Sequence, residues 1–424
     1  MLIQKVNGLQ GMLAIPGDKS ISHRSIMFGS LASGKTTIFN FLMGDDCLST
    51  ISCFRQLGIE ITVSDHQINV YGKGLYGLTK PSDILDCGNS GTTTRLISGI
   101  LAGQNFTSTL TGDASIQKRP MNRIMSPLTM MAAHITGKDN NFCPLTISPS
   151  SLKGITYESP VASAQVKSAI LLAGLYADSP TTVSEPHLSR DHTERMLASF
   201  GAHLERDGTT ITISPNPDLK GQEIIVPGDI SSSAFFMVAG LITPNSCLTL
   251  TNVGINPSRR GILDVLLAMG GNIEVINERE VCGEPVCDLI VRSSVLHGVT
   301  VEGAIIPTLI DEVPILAVCA CFATGITTIK DASELKVKET NRIDAVTTEL
   351  RKMGAHITPT DDGLIIEGGH LLYGSTLETY HDHRMAMSLS IAAINAHSPT
   401  TIVGSECISI SYPTFYEDLA AISR

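Results

Sequence analysis

The stretch Leu296-His297-Gly298-Val299-Thr300-Val301, a Leu-x-Gly tripeptide that leads into a short apolar strand, belongs to a repeat that decides the fold. The tripeptide occurs six times, and its glycines follow one another at steps of 66, 77, 67, 77 and 76 residues. Self-similarity at a nearly fixed period indicates that one supersecondary unit is repeated along the chain. The six copies end in Gly11, Gly77, Gly154, Gly221, Gly298 and Gly374.

The order of elements within each unit also repeats. The pattern predicts a strand after the tripeptide, a polar turn, a helix of small apolar residues, a second strand, a second helix and a strand pair. Four of the second helices end at a glycine, the usual helix stop, and a fifth has Ala132 in that place. The predicted second strands are residues 36–41, 107–112, 181–186, 247–252, 327–332 and 400–405.

The sixth unit has no strand pair, because the chain ends in its second helix, residues 412–424. Residues 1–11 have the pattern of the missing strand, so we expect the two termini to close this unit together. The sequence therefore predicts an α/β protein with three units in each of two domains. A central domain, 14–226, is inserted into a terminal domain made of 1–13 and 227–424, and both crossings carry Pro-Gly-Asp, a turn suited to a hinge.

Composition excludes several classes of protein. The formal charge of −11 in 424 residues argues against a nucleic-acid partner. Residues 313–323, the most apolar stretch, are too short to span a bilayer, and residues 1–11 lack the apolar core of a signal peptide. The ten cysteines have no metal-site spacing, so we expect free thiols in a reducing compartment, the cytoplasm.

One apparent motif has the wrong context. Residues 29–36, GSLASGKT, fit the phosphate-loop pattern G-x4-G-K-[ST]. A phosphate loop follows a strand and opens a helix. Here the pattern predicts a helix before the motif and a strand after it, so we do not expect nucleotide binding.

Unusual polar residues collect at the turns that precede the helices. Each cluster alone is explained by helix capping, but Lys19 and Arg24 at a helix start oppose the helix dipole, which suggests a bound anion. Several helix N-termini with added Lys and Arg would hold phosphates or carboxylates well. The clusters lie at residues 18–24, 87–95, 117–123, 163–167, 189–192, 231–233, 258–260, 311–312, 336–342 and 381–384.

At these residues the chain resembles the 5-enolpyruvylshikimate-3-phosphate (EPSP) synthase family of enolpyruvyl transferases. The resemblance runs over essentially the whole length and rests on PGDKSISHR (16–24), LDCGNSGTTTRL (85–96), QKRPMNR (117–123), SAQVKSA (163–169), SRDHTERM (189–196), VKETNRI (337–343) and DHRMAM (382–387). It implies a two-domain, inside-out α/β barrel fold of six βαβαββ repeats with the active site in the cleft between the domains. It also implies transfer of the enolpyruvyl group of phosphoenolpyruvate to the 5-hydroxyl of shikimate 3-phosphate, with release of phosphate and with no metal or organic cofactor.

The resemblance assigns roles residue by residue. Catalytic roles fall to Asp311, which takes the hydroxyl proton, and to Glu339 with Lys19, which protonate the methylene carbon. Shikimate 3-phosphate is assigned to Lys19, Ser20, Arg24, Ser163, Ala164, Gln165, Arg190, Asp311 and Lys338. Phosphoenolpyruvate is assigned to Lys19, Asn89, Gly91, Thr92, Arg119, Gln165, Arg342, His383 and Arg384.

Some positions depart from the family pattern. Many relatives have a lysine shortly before the C-terminal Phe-Pro, where this chain has Ile410 and its neighbours, and Ala164 and Glu334 stand where others have Ser and Asn. The resemblance further implies a monomer and inhibition by glyphosate, which in this family packs against the glycine at position 91. Two alternatives remain open from sequence: the sister transferase that acts on UDP-N-acetylglucosamine, whose loop cysteine is absent from residues 112–119, and a non-catalytic sixfold-repeat scaffold.

Overall fold

The structure, a computed structural model, describes residues 1–65 and 67–424. The strands are β1 (Leu2–Ile3), β2 (Gln10–Ala14), β3 (Ser33–Phe39), β4 (Glu60–Val63), β5 (Gln67–Lys73), β6 (Leu85–Asp86), β7 (Ser108–Thr111), β8 (His134–Lys138), β9 (Phe142–Ser148), β10 (Thr156–Glu158), β11 (Thr181–Ser184), β12 (Leu204–Asp207), β13 (Thr210–Ile213), β14 (Glu223–Ile225), β15 (Cys247–Gly254), β16 (Asn272–Val281), β17 (Glu284–Arg292), β18 (Thr300–Val301), β19 (Gly325–Ile329), β20 (His356–Pro359), β21 (Leu364–Gly368), β22 (Thr376–Glu378) and β23 (Thr400–Val403). The helices are α1 (Lys19–Leu31), α2 (Asp45–Gln56), α3 (Gly91–Ala102), α4 (Asn122–Met130), α5 (Ala164–Gly174), α6 (His192–Ser199), α7 (Ile230–Ile242), α8 (Gly261–Ala268), α9 (Ile306–Leu309), α10 (Val313–Phe322), α11 (Arg342–Lys352), α12 (His383–Ala393) and α13 (Phe415–Ile422).

The chain divides into two compact units. The terminal unit consists of Met1–Pro16 and Pro227–Arg424, and the inserted unit consists of Gly17–Val226. The repeat pattern placed the first division three residues earlier, at 13/14. The chain stays with the terminal unit as far as Pro16, because the Pro16 carbonyl accepts a hydrogen bond from the Asp229 N–H at 2.9 Å.

Each repeat forms its own small sheet. In the inserted unit the strand orders are β14-β3-β5-β4, β6-β7-β9-β8 and β10-β11-β13-β12; in the terminal unit they are β16-β17-β15-β2, β18-β19-β21-β20 and β1-β23-β22. In the four-stranded sheets the first strand of the repeat runs parallel to the second, and the strand pair is antiparallel. In the sixth repeat β1 pairs antiparallel with β23, and the Asn7 N–H donates to the Arg424 carbonyl at 2.8 Å, so both termini close this repeat. The last helix begins at Phe415, three residues after the predicted start.

Two first strands are exchanged between distant repeats. The strand β2, which follows the first Leu-x-Gly, pairs in parallel with β15 of the fourth repeat, with Gln10 opposite Cys247. The strand β14, which follows the fourth Leu-x-Gly, pairs in parallel with β3 of the first repeat, with Glu223 opposite Thr37. The strand β2 ends two residues before the first Pro-Gly-Asp turn and completes a sheet of the terminal unit. The strand β14 ends two residues before the second such turn and completes a sheet of the inserted unit.

The first helix of each repeat lies in the interior of its unit. In α1, for example, every residue from Ile21 to Leu31 is buried, whereas the strands expose one face. The same holds for α3 and α5 in the inserted unit and for α7, α10 and α12 in the terminal unit. Helices inside and sheets outside give the inside-out arrangement.

The apolar stretch before β19 is longer in the structure than the sequence suggested. Residues Gly303–Phe322 form a continuous helical run of 20 residues, which by length and composition alone is enough to cross a bilayer. In the structure 72% of the most apolar part of this run is buried, because the run packs into the core of the terminal unit. It is a core element.

The glycine of the Leu-x-Gly signature is required by close approach of the backbone. A Cβ atom at Gly298 would lie 2.2 Å from the Ile326 carbonyl oxygen, and one at Gly374 would lie 2.1 Å from the Pro399 carbonyl oxygen. The preceding leucines are buried in the cores of their units. The signature therefore has a structural origin and marks the entry of each repeat.

The glycines that stop the second helices have left-handed backbone conformations. Their φ angles are +85° at Gly58, +106° at Gly201, +91° at Gly270 and +92° at Gly354. Ala132, the glycine-free counterpart, has φ +66°, although L-residues with a Cβ rarely adopt this conformation.

The apparent phosphate loop has the context that the sequence predicted. Its first residues end α1 and the remainder forms β3, so a helix precedes it and a strand follows it. Lys35 is exposed on β3. The segment is a helix-to-strand turn without phosphate-loop geometry.

Candidate active site

The polar clusters lie at the N-termini of the buried helices, as the sequence predicts. Asp18, Ser90, Asp229 and Asp382 cap α1, α3, α7 and α12, and each accepts a hydrogen bond of 2.9–3.0 Å from a backbone N–H in the first turn. Ser163, at the start of α5, makes no side-chain cap bond. Capping therefore explains these four side chains but not the arginines, lysines and amides around them.

One cluster of the inserted unit surrounds Gly91. A Cβ atom at Gly91 would lie 3.2 Å from Arg119 Nη1, 3.4 Å from Arg95 Nη1 and 3.9 Å from Gln165 Nε2. Gln165 donates to Thr92 Oγ1 at 3.2 Å, and Arg95 donates to Gln165 Oε1. Two guanidinium groups, one amide and the first turn of α3 thus converge on the one position without a side chain, which suits an anion.

Asn89 orients Arg119 within this cluster. Arg119 Nη2 donates to Asn89 Oδ1 at 2.9 Å, and Asn89 Nδ2 donates to Asp113 Oδ2 at 2.7 Å. Arg119 is 7% exposed, so its guanidinium is held in place. The structure therefore brings together Asn89, Gly91, Thr92, Arg119 and Gln165, all of which sequence analysis had assigned to one substrate.

A second group in the inserted unit surrounds Arg24. Its guanidinium donates to Thr193 Oγ1 at 2.7 Å, to Ser168 Oγ at 2.9 Å and to the Ser20 carbonyl at 2.9 Å. Arg24 is nearly buried, and the contacts tie α1 to α5 and α6. Arg190 lies two residues before α6 and is half-buried, and Ala164 is the first residue of α5.

Lys167 is a buried cation that sequence analysis did not select. Its Nζ lies 2.8 Å from Glu185 Oε2 and 2.8 Å from Glu194 Oε1, and its side chain is 2% exposed. Glu185 in turn accepts hydrogen bonds from the Ser163 N–H at 2.9 Å and from Ser189 Oγ at 2.7 Å. The lysine therefore holds the segment that precedes Gln165 and the segment that precedes Arg190. A charged residue inside the otherwise apolar helix 164–174 was the available signal.

Lys19 pairs with a carboxylate in its own unit. Its Nζ forms an ion pair with Asp46, near the start of α2. The neighbouring His23 is fully buried, and burial together with the charges of Lys19 and Arg24 lowers the pKa of its imidazole well below the usual value. His23 is therefore neutral and adds no charge to this turn.

In the terminal unit, three cations surround Asp311. Its Oδ1 lies 3.2 Å from Lys338 Nζ and 3.2 Å from Arg342 Nη1, and its Oδ2 lies 3.9 Å from Arg384 Nη2. Glu334, one of the departures from the family pattern, lies 3.7 Å from Lys338 Nζ. The predicted residues of this unit thus form one ion-pair network.

Arg342 is the most buried member of the network, with an exposed fraction of 1%. It donates to Asp382 at 2.8 Å and to Glu339 at 2.5 Å. Burial alone lowers the pKa of a guanidinium, but the carboxylates of Asp382, Glu339 and Asp311 outweigh it and raise the pKa of Arg342. Arg342 remains a cation.

Glu312 was missed by sequence analysis as a site residue. It is 1% exposed, accepts a hydrogen bond from Ser231 and lies 3.5 Å from Arg384 Nη1. Arg259 donates to the same serine and to Asp229 at 3.1 Å. Arg384 thus lies near Glu312 through Nη1 and near Asp311 through Nη2. His383 begins α12 beside it and is buried.

The turn before Asp382 contains consecutive non-glycine residues with left-handed backbones. Tyr380 has φ +55° and His381 has φ +56°. The Tyr380 hydroxyl donates to Glu349 Oε1 at 2.7 Å, and the Glu378 N–H donates to Glu349 Oε2 at 3.0 Å. Partial burial and the Glu349 carboxylate raise the pKa of Tyr380 to about 12. Such backbone strain is found at functional sites when surrounding contacts impose it.

A family model described as EPSP synthase (3-phosphoshikimate 1-carboxyvinyltransferase) matches residues 3–419. The chain belongs to the EPSP synthase family. Two proteins named 3-phosphoshikimate 1-carboxyvinyltransferase, from Thermoanaerobacter sp. (strain X514) and from Bacillus cereus, are each 55% identical to it; the alignments cover 98% of both chains for the first, and 100% of this chain and 99% of the relative for the second.

Solved structures agree with this assignment. EPSP synthase from Acinetobacter baumannii superposes with a TM-score of 0.88 at 44% identity, covering 100% of this chain and 98% of that one. The enolpyruvyl transferase NikO from Streptomyces tendae, at 18% identity and a TM-score of 0.80 over 99% of this chain and 96% of that one, shares the fold. The protein transfers the enolpyruvyl group of phosphoenolpyruvate to shikimate 3-phosphate, a step of aromatic amino acid biosynthesis. The comparisons favour this activity over transfer to UDP-N-acetylglucosamine and over a non-catalytic scaffold.

Proposed function

We propose that the network around Asp311 carries out proton transfer and that the clusters around Gly91 and Arg342 bind phosphoenolpyruvate. The observation that carries the proposal is the position of Asp311, 3.2 Å from both Lys338 and Arg342. An ionised carboxylate held between cations has a lone pair ready for a hydroxyl proton and is kept in one orientation.

The substrate anions are divided between the clusters. Arg119 and Arg342 are buried guanidinium groups whose orientation is fixed by neighbouring side chains, and guanidinium groups match phosphate and carboxylate in bidentate geometry. Ser20, Arg24, Ser163, Gln165, Arg190 and Lys338 are proposed to hold shikimate 3-phosphate, with Ala164 contributing backbone. Asn89, Gly91, Thr92, His383 and Arg384 complete the proposed phosphoenolpyruvate site.

The proposed chemistry proceeds in two stages. Asp311 removes the proton of the 5-hydroxyl while the hydroxyl oxygen bonds to C2 of phosphoenolpyruvate. Glu339, in its protonated form, together with the Lys19 ammonium group delivers a proton to C3. In the second stage the group that protonated C3 takes a proton back from it, and the C–O bond to phosphate breaks. This step restores the C2–C3 double bond, releases phosphate and leaves the enol ether product. Arg342 supports the first stage because its contact with Glu339 at 2.5 Å fixes that carboxyl group.

Asp311→Asn tests the assignment. We expect kcat to fall by about 10²–10⁴, the usual contribution of a general base, with both KM values within about tenfold of wild type. Asp264→Asn is the matched control, because Asp264 is an exposed aspartate of the same unit whose partner is Arg260 on its own helix. If kcat of Asp311→Asn stays within about threefold of wild type, the loss is far smaller than that expected for a general base. Asp311 is then not a catalytic residue.

The residues proposed for each substrate are divided between the two units, so we propose that binding of shikimate 3-phosphate makes the chain more compact. Small-angle scattering with and without saturating ligand measures the radius of gyration. An unchanged radius would contradict the proposal.

We further propose that glyphosate inhibits this enzyme, that the enzyme is a monomer, and that the enzyme is located in the cytoplasm. The position of Gly91 beside Arg119 supports the first statement, since a side chain there would crowd the guanidinium. Membership of the family supports the second. The cysteines of the described residues form no disulfide, and two of them are exposed, which is typical of a reducing compartment. Inhibition assays, sedimentation and fractionation test the three statements in turn.

A further inference from the structure

The hairpin of β20 and β21 brings together two histidines and a glutamate that the transfer reaction does not use. His356 lies directly opposite Glu367 in the antiparallel register, so their side chains share one face. Gly369, with φ +86°, turns the chain after β21 and places the ring of His370 over that of His356, with centroids 3.8 Å apart and planes at 26°.

The ligand atoms of the three side chains are close but not hydrogen-bonded. Glu367 Oε2 lies 3.9 Å from His356 Nδ1, and Glu367 Oε1 lies 3.7 Å from His370 Nε2. All three potential ligand atoms lie within 4.8 Å of one another. Within the described residues His370 Nε2 is shielded from solvent yet has no hydrogen-bond partner. A buried ring nitrogen without a partner costs free energy that a metal ion would recover.

These spacings are close to those of a metal site. Ligand atoms bound at about 2.0–2.1 Å to a tetrahedral ion are roughly 3.3–3.4 Å apart, so contraction by less than about 1.5 Å is needed. His356 and Glu367 are more than half exposed, and His370 is 39% exposed, which leaves their side chains room to rotate. The backbone of His356 and Glu367 is fixed by the strand pairing, and the Gly369 N–H next to His370 donates to the Cys321 carbonyl at 3.0 Å.

We propose that His356, Glu367 and His370 form a surface site for a divalent transition-metal ion such as Zn²⁺. Two imidazoles and one carboxylate suit Zn²⁺, Co²⁺, Ni²⁺ or Cu²⁺ better than Mg²⁺ or Ca²⁺, which require oxygen ligands. Solvent completes the coordination, because the site is open. The bound ion ties the end of β21 to β20 and stabilises the hairpin.

A second histidine–glutamate pair provides the comparison. In the inserted unit His203 Nε2 lies 3.2 Å from Glu205 Oε1, and both side chains are exposed. Among the described residues, no third histidine, cysteine or carboxylate lies close enough to this pair to complete a metal site. His203→Gln therefore removes an exposed histidine that neighbours a glutamate without touching the proposed site.

Titration calorimetry with Zn²⁺ tests the proposal in the full chain carrying Cys247→Ser and Cys282→Ser, which removes the two exposed thiols that would also bind zinc. We expect one ion per chain, retained in His203→Gln and bound at least about tenfold more weakly in His356→Gln, His370→Gln and Glu367→Gln, which corresponds to about 1.4 kcal/mol or more. Visible absorption of bound Co²⁺ should be lost in the same variants.

Two outcomes would overturn the proposal: no stoichiometric binding by the parent protein, or equal affinity in His356→Gln and the parent. As a second measurement, Zn²⁺ should raise the unfolding temperature of the parent but not of the site variants. Substrate turnover is not a readout here, so failure of this proposal leaves the proposed catalytic roles untouched.

Discussion

Tyr380→Phe should weaken phosphoenolpyruvate binding although the side chain is not assigned to any substrate. The hydroxyl is one of the contacts through which Glu349 holds the turn at residues 380 and 381. Asp382, the next residue, accepts from Arg342 and caps the helix that carries Arg384. A change in the turn therefore reaches two proposed phosphoenolpyruvate ligands.

The magnitude follows from two opposing free energies. A left-handed backbone costs about 1–2 kcal/mol for each non-glycine residue, so the turn stores roughly 2–4 kcal/mol. A hydrogen bond to a charged group contributes about 1.5–3 kcal/mol. Tyr380 is 42% exposed, so water can partly replace its bond and the lower value of about 1.5 kcal/mol applies. Loss of this hydrogen bond lets the turn relax, so a smaller fraction of the molecules has the conformation that binds phosphoenolpyruvate. The apparent dissociation constant for phosphoenolpyruvate then rises about 12-fold.

Steady-state kinetics and urea unfolding measure the two effects separately. We expect KM for phosphoenolpyruvate to rise about 12-fold and KM for shikimate 3-phosphate to stay within about twofold, while the free energy of unfolding falls by no more than about 1.5 kcal/mol. Tyr373→Phe is the matched control, because Tyr373 is an exposed tyrosine of the same unit whose ring packs against His397. It should change neither KM.

Adding His381→Gly to Tyr380→Phe should restore part of the affinity. Glycine adopts a positive φ without the Cβ penalty, so about 1–2 kcal/mol of strain is relieved and the turn needs less support. A loss of stability in Tyr380→Phe with an unchanged KM for phosphoenolpyruvate would refute this explanation. The hydrogen bond between Tyr380 and Glu349 would then stabilise the fold without affecting substrate binding.

Five further substitutions test three other features. Ala132→Gly should raise the free energy of unfolding by about 1–2 kcal/mol, and Gly201→Ala should lower it by a similar amount, since both sites require a positive φ; urea unfolding decides. Gly91→Ala should weaken glyphosate inhibition roughly 5- to 150-fold, from an overpacking cost of 1–3 kcal/mol, in assays at matched phosphoenolpyruvate concentration; equal inhibition constants would exclude Gly91 from the pocket. Lys167→Met should destabilise the protein by about 3–5 kcal/mol because it leaves two buried carboxylates facing each other, whereas Lys220→Met, which removes an exposed pair, should cost less than about 1 kcal/mol; equal losses would contradict this account.

The repeat architecture was predictable because its signals are local. At Gly298 and four of its counterparts, Gly77, Gly154, Gly221 and Gly374, a backbone carbonyl oxygen lies too close for a Cβ atom, and Gly11 has a positive φ. Gly201 and Gly354 are also needed for a positive φ. The exchange of β2 and β14 was not predictable from such signals. Both strands follow the same tripeptide, and which sheet each completes depends on pairing across more than 180 residues.

The candidate site was predictable where residues act at helix starts. Asn89, Gly91 and Arg342 are recognisable in sequence because each stands in a polar run where a buried helix begins. Lys167 and Glu312 fall in the polar clusters 163–167 and 311–312 but received no role, because sequence spacing does not reveal a buried ion pair. The partners of Lys167 lie on other elements of its own repeat, and those of Glu312 come from other repeats. The left-handed backbone at residues 380 and 381 had no signal, since neither residue is a glycine.

The exchanged strands determine the order in which the two units can be completed during synthesis. The inserted unit has all of its strands once Ile225 has been added, although its chain begins after that of the terminal unit. The strand β2 must wait for Cys247, 237 residues after Gln10, which at 5–20 residues per second is roughly 12–47 s on the ribosome. During that time it is an unpaired strand edge, open to wrong partners, while the unit that follows it is already complete. The terminal unit, first to emerge, is the last to finish folding.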